Sequence, residues 1–196
     1  MKFRKQTPGK RTPRQYDEAR LYEYAVGALA RRMRTVAEIK RLMRTRVAHQ
    51  PDGDDLVEKV TSRLKDQRYL NDSAYAAHYT AYRRDTEKFG AMRVVQDLKA
   101  RGVHGDIISR AVPEAYSGVN DEEQARAFLK RKRVSQPRNQ REAARIFRLM
   151  TRAGFATRTI FPILRNWQVE EEVLSALEQE RTAADERSTA ADGGDE

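Results

Sequence analysis

An apolar pair four residues apart occurs three times in this chain: Ile39 with Met43, Val94 with Leu98, and Ile146 with Met150. Successive pairs lie roughly fifty residues apart, a repeat length that suits a small helical unit. A separation of four is one helical turn, so each pair marks the buried stripe of a helix. Two of the pairs are followed, at the same distance, by a glycine and an apolar residue: Gly102-Val103 and Gly154-Phe155. Glycine just past the last periodic residue is the left-handed stop of a helix. The first repeat has Val47-Ala48 at that place and must turn differently.

The remaining helices are read around these anchors. Leu21, Ala25, Leu29 and Met33 form one stripe, and Val36, Ile39 and Met43 a second. Leu56, Val57, Val60 and Leu64 form a third, separated from the second by the Pro51-Asp52-Gly53 turn. In the next round Asp72 is the expected N-cap of a helix carrying Tyr75, Tyr79 and Tyr82, whose spacing predicts a core face rather than a base-stacking one. A loop at Phe89-Gly90 precedes the Val94 helix, and a short helix with Ile107, Ile108, Ala111 and Val112 is expected to end before Pro113. The third round starts after Asn120-Asp121. It carries Phe128 and Leu129, then Ile146 and Met150, then Ile160, Ile163, Leu164 and Trp167, with Trp167 expected in the core. No segment alternates with period two. The expected fold is all-α, an elongated tandem array of three three-helix repeats at 16–70, 71–118 and 119–180, because units this small bury their faces by stacking. Residues 1–15 read as a flexible basic arm, and 181–196 as a disordered acidic tail.

Charge narrows the function. There are 39 Lys and Arg against 29 Asp and Glu, a formal net charge of +10, which favours polyanionic partners. There is no Cys, so disulfides and thiolate metal sites are excluded. No apolar run approaches the roughly 20 residues of a membrane span, and no apolar stretch follows the basic N-terminus as in a secretory signal. A soluble, cytoplasmic protein with no membrane partner is expected. His49, His78 and His104 have no ligand partner at metal spacing, and neither a P-loop nor a dinucleotide-binding glycine motif is present. Acid pairs such as Asp54-Asp55 and the run Glu170-Glu171-Glu172 fit helix starts. No catalytic residue, metal or cofactor is expected.

The basic residues are the stronger signal, and each repeat has a patch. The first holds Arg31, Arg32, Arg34, Lys40 and Arg41, with Arg44 and Arg46 beyond. The second holds Arg83, Arg84, Lys88, Arg93, Lys99 and Arg101. The third is the densest: Arg126, Lys130, Arg131, Lys132, Arg133, Arg138, Arg141, Arg145 and Arg148, with Glu142 the one acid among them. Arg141, Arg145 and Arg148, four and three apart, share a helix face. Guanidinium groups so placed suit a phosphate backbone or an acidic protein groove, because each presents several donors in a rigid fork.

The central stretch Tyr69-Leu70-Asn71-Asp72-Ser73-Ala74-Tyr75-Ala76, with Tyr79, Arg83, Gly90 and the run from Arg93 to Val103, resembles the central repeat of the RecX regulatory proteins. Ala37 to Met43 resembles that family's opening repeat, and Phe147 to Phe155 its closing one. The resemblance covers about residues 20–170. It implies tandem three-helix units lying in the groove of the RecA–single-stranded DNA filament, with inhibition of RecA's ATPase, strand exchange and coprotease activity, in DNA repair, recombination and the SOS response. It implies no cofactor, and a monomer is expected. The basic patches named above are then the residues expected to contact RecA and DNA. A direct DNA-binding protein acting without RecA remains open beside this reading, since basic three-helix units resemble helix-turn-helix modules.

Overall fold

The computed structural model describes residues 15–192, with side chains through residue 183. Among the described residues it is all-helical, with helices in three groups of three and a tenth following. The chain forms two compact units, Met1–Tyr75 and Ala76–Glu196. The expected basic arm lies almost wholly outside the described residues.

The first unit packs α1 (Glu18–Arg31), α2 (Val36–Val47) and α3 (Gly53–Asp66) around Leu21, Ala25, Ile39, Met43, Val57, Val60 and Leu64. The starts of α1 and α2 are capped by side chains. Asp17 accepts the amide of Arg20, and the buried Thr35 accepts that of Glu38. Gln50 pairs with both backbone groups of Tyr16 at 2.8 Å each, tying the start of α1 to the α2–α3 turn. That turn replaces the missing glycine stop. Ala48 keeps a right-handed conformation, and Gly53 is buried against the Val47 carbonyl, where a Cβ would come within 2.7 Å. Met33 falls outside α1 and is 54% exposed, so the first stripe ends at Leu29.

Two expectations about α4 (Asp72–Asp85) are corrected. Its N-terminal amide at Ala74 is capped by Asn71. Asp72 instead accepts the amide of Val36 at 2.9 Å, and so caps α2. The tyrosines do not share one buried face: Tyr75 is 7% exposed, Tyr79 half-buried and Tyr82 53% exposed. Ala76 and Thr80 are fully buried beside Tyr75, which rotates the core stripe away from Tyr82.

The second unit continues through α5 (Ala91–Ala100), α6 (Gly105–Tyr116), α7 (Asp121–Arg131), α8 (Gln140–Arg152), α9 (Thr157–Asn166) and α10 (Glu171–Asp192). α5 and α6 pack on each other with Val94, Leu98, Ile108 and Val112 buried, while the core of α7–α10 includes Phe128, whose ring lies 5.7 Å from both Phe89 and Phe155. α6 does not stop at Pro113 but runs to Tyr116. Proline removes one backbone hydrogen bond. The turn beyond it is held because the Tyr116 hydroxyl donates to the Phe89 carbonyl at 2.7 Å. α10 extends to Asp192, into the stretch expected to be disordered. Leu174 and Leu177 anchor its first turns in the core, and the Ala- and Glu-rich continuation has high helix propensity.

Helix ends repeat as regularly as helix cores. After α5 the amide of Val103 bonds the Leu98 carbonyl, after α8 Phe155 bonds Met150, and after α9 Val169 bonds Leu164. In each case an apolar residue folds back over the last turn, with Gly102, Gly154 or Gln168 at positive φ before it. Gly154 does more than turn the chain. The Gly90 amide donates to the Ala153 carbonyl at 2.9 Å, and a Cβ on Gly90 would meet the Gly154 carbonyl at 2.3 Å. A Cβ on Gly154 would meet the Arg93 amide at the same distance. Two backbones thus touch where the α4–α5 loop meets the end of α8. Gly154→Ala and Gly90→Ala should each destabilise the protein by about 2–4 kcal/mol in urea unfolding, from overpacking and, at Gly154, from φ +89 as well. Gly27→Ala, inside α1 with open space around it, should instead stabilise by about 1 kcal/mol.

Candidate nucleic acid interface

The arginines and lysines of the three patches have separate fates. In the first, Lys40 pairs with Glu58 at 2.7 Å, and Arg34 Nε donates to the Ala28 carbonyl at 3.3 Å. Arg44 pairs with Asp54, and the Arg46 guanidinium lies over the Tyr24 ring at 4.7 Å. Arg31, Arg32 and Arg41 are exposed without an acidic partner among the described residues.

The second patch is largely turned inward. Asp97 of α5 accepts two hydrogen bonds, from the Tyr79 hydroxyl at 2.9 Å and Arg83 Nη2 at 2.5 Å, and forms an ion pair with Arg93, whose Nε lies 2.9 Å from its other oxygen. Arg83 also covers the Phe89 ring at 4.3 Å, and Arg101 covers Tyr79 at 4.8 Å. Burial pushes the Asp97 carboxyl up, but the Tyr79 hydroxyl and the arginines outweigh burial and hold it below the usual carboxylate range. Arg84 chelates Asp85 and donates to the Ala115 carbonyl, and its own carbonyl accepts from Gln124 at 2.7 Å. Arg83, Arg84 and Arg93 are therefore framework residues, while Lys99 faces solvent and Lys88, half-buried, sits at φ 60 in the turn after α4. Sequence reading missed Asp97 as the hub; the Arg93-to-Asp97 spacing of one helical turn was the available signal.

The third patch stays open. Arg131 pairs with Glu87 at 3.0 Å, and Lys132 Nζ approaches the Phe128 ring at 5.9 Å. Lys130 is exposed, and Arg133 occupies the left-handed turn after α7 at φ 54. On α8, Ala143, Ile146, Phe147 and Met150 are buried. Arg141, Arg145, Arg148 and Arg152 are exposed on the opposite side of the same helix. Of these, only Arg148 has an acid within reach among the described residues, Glu180 of α10 at 3.8 Å. Asn139 caps α8 through the Glu142 amide, and the Glu142 carboxylate accepts the Arg138 amide, so the one acid of the patch is spent on the helix start. α10 is joined to α9 by a two-point pair between Arg165 and Glu171, at 2.8 and 2.5 Å.

Among the described residues no group of three or more His, Cys, Asp or Glu side chains is placed to hold a metal ion. His78 is exposed, as are His49 and His104. No helix among the described residues is long and apolar enough to cross a membrane.

Fold and site together define a helical-repeat protein whose exposed chemistry is a guanidinium face. Residues 71–112 match the family model for the second three-helix domain of RecX. The chain is 30% identical over 160 residues to the regulatory protein RecX of Deinococcus radiodurans, covering 81% of this chain and 74% of that protein. It is 27% identical over 164 residues to the regulatory protein RecX of Cronobacter sakazakii, covering 98% of it, and spans 58% of the Geobacillus thermodenitrificans relative. The crystal structure of RecX from Lactobacillus salivarius shares the fold, with a TM-score of 0.58 at 20% identity over 77% of this chain and 96% of that one. The chain belongs to the RecX family of regulatory proteins.

The Asp97 hub has a measurable consequence. Asp97→Asn should destabilise the second unit by about 2 kcal/mol near neutral pH, because partly buried guanidinium groups lose their counter-charge. With a lowered folded-state pKa, the carboxylate's contribution is present above about pH 4 and is lost as pH falls through the folded value. Urea unfolding of wild type and variant should therefore converge below pH 4; a gap that stays constant into acid would exclude this account.

Proposed function

We propose that the chain binds the RecA–single-stranded DNA filament and inhibits RecA's ATP hydrolysis, strand exchange and coprotease activity in DNA repair and recombination. Membership of the RecX family supports the target. The observation that carries the interface is α8, where Arg141 and Arg145 stand exposed with no acidic partner among the described residues, on a helix whose other side is packed into the core. Such a face keeps its donors available and loses little order on binding. Lys130, Lys132, Arg133 and Arg138 extend it, and Arg31, Arg32 and Arg41 offer a second exposed set. A filament presents the same groove repeatedly, so modest contacts at linked sites would combine into tight binding.

Titrating the protein into RecA hydrolysing ATP on single-stranded DNA tests this. Inhibition is expected well below one molecule per RecA. The triple variant Arg141→Glu, Arg145→Glu, Arg148→Glu should fold normally, since its one ion pair is exposed and worth little, and should inhibit at least about tenfold more weakly. Full inhibition by the folded triple variant would remove α8 from the interface. A second reading, direct DNA binding without RecA, draws on the same face. It predicts tight, strongly salt-dependent binding with no effect on the ATPase, and a salt slope reduced by about 3 when the three arginines become alanine. Removing residues 181–196 deletes acids that follow Glu180 on α10 and should raise DNA affinity; unchanged affinity would exclude competition by this segment.

A further inference from the structure

A cleft of about 200 Å³ opens where the N-terminal end of α8 meets the α9–α10 turn. Trp167 lines it with Pro137, Val169 and Val173, and Arg138 and Gln140 stand among its polar residues. Trp167 is half-buried, its ring set against the core beside Ile163 and Leu164. Its backbone is fixed on both sides: the amide reaches the Ile163 and Leu164 carbonyls, and the carbonyl accepts from Gln136 at 2.9 Å. The indole N–H has no hydrogen-bond partner among the described residues. The chain thus presents one aromatic residue, its backbone fixed and its side chain half-buried, at the edge of an open cleft, with a donor unspent.

We propose that this cleft is a subsite for one unstacked base of a single-stranded nucleic acid, with Trp167 as the stacking surface. The inference rests on the proposed interface, because the cleft opens at the start of the α8 arginine face. Arg138 belongs to the cleft, and Arg141, one position past Gln140, lines the adjoining gap between α8 and α10. A strand whose phosphates follow Arg138, Arg141 and Arg145 brings its bases to Trp167. Stacking on an aromatic ring tolerates any base. The side-chain amide of Gln140 can pair with base edges. Glu170 on the α10 side of the cleft, with Glu172 and Glu180 on the α10 side of the adjoining gap, repels phosphate and so keeps the strand's backbone on the outer, α8 side.

Trp167 is the chain's one tryptophan, so its fluorescence reports the subsite directly in the full-length protein. An oligodeoxythymidylate of about 12 nucleotides should quench it saturably, while an abasic oligomer of equal charge should not and should bind at least about fivefold more weakly by anisotropy, the factor for one lost stack. Trp167→Phe should retain oligonucleotide affinity, and Trp167→Leu should lose about fivefold; if the leucine variant does not fold, the abasic comparison on the wild type decides. Equal binding of abasic and base-bearing strands would overturn the subsite. So would anisotropy-detected binding that leaves Trp167 fluorescence unchanged, although the interface on α8 would then stand. Quenching by thymidine monophosphate as effective as by the oligomer would overturn the assignment to a strand. No binding of any strand, together with no effect on RecA, would overturn both proposals.

Discussion

Much of the second unit depends on a contact between two backbones with no side chain between them. Gly90 and Gly154 approach so closely that a methyl group on either would collide with main-chain atoms. The hydrogen bond from Gly90 to the Ala153 carbonyl satisfies a group at the end of α8 that the helix cannot satisfy itself. Around this point the Phe89 ring reaches Phe128, and the Phe89 carbonyl takes the Tyr116 hydroxyl. Three-helix units are too small to bury much on their own. A backbone junction of this kind ties the α4–α5 loop to the end of α8 and seats Phe89 against the hydrophobic centre of α7–α10.

That junction also explains why arginine has such different roles along the chain. Near it, guanidinium groups are drawn inward. Arg83 and Arg93 converge on Asp97, Arg84 spans to Ala115, and Arg131 reaches Glu87. A planar, multi-donor group is well suited to satisfying carbonyls and carboxylates at the seams between helices. On α8 the same residue type pairs with an acid only at Arg148, and Arg141 and Arg145 form no ion pair among the described residues. Net charge alone therefore overstates the binding surface: a substantial part of the second patch holds helices together.

The helix cores were legible because helical periodicity is local: the recurring pairs Ile39/Met43, Val94/Leu98 and Ile146/Met150 are all buried as the spacing requires. The Gly102 and Gly154 stops were legible for the same reason. What failed was whatever depends on a neighbour distant in sequence. Asp72 looks like the cap of its own helix, yet it caps α2, because Asn71 stands one residue earlier and takes the local role. Tyr82 fits the stripe by spacing but is exposed, because Ala76 and Thr80 set the face that meets the core. Pro113 fails as a stop because Tyr116 is anchored across the unit. The basic residues were legible as a set, but which of them are free depends on where Asp97, Glu58 and Glu87 fall in three dimensions.

The arrangement of α8 follows from these constraints. A helix with a broad buried face can carry several like charges on its outer side only if packing outweighs their mutual repulsion. Ile146, Phe147 and Met150, set in the aromatic centre, supply that packing. α10 answers the charge at one point, with Glu180 near Arg148, while its first turns are held to α9 through Arg165 and Glu171. The acidic helix thus lies beside the arginine row, with Glu172 and Glu180 lining a gap shared with Arg141, yet among the described residues neither Arg141 nor Arg145 forms an ion pair. Under the proposed function a polyanion would gain most there, because it would relieve repulsion already present in the free protein rather than displace an existing ion pair.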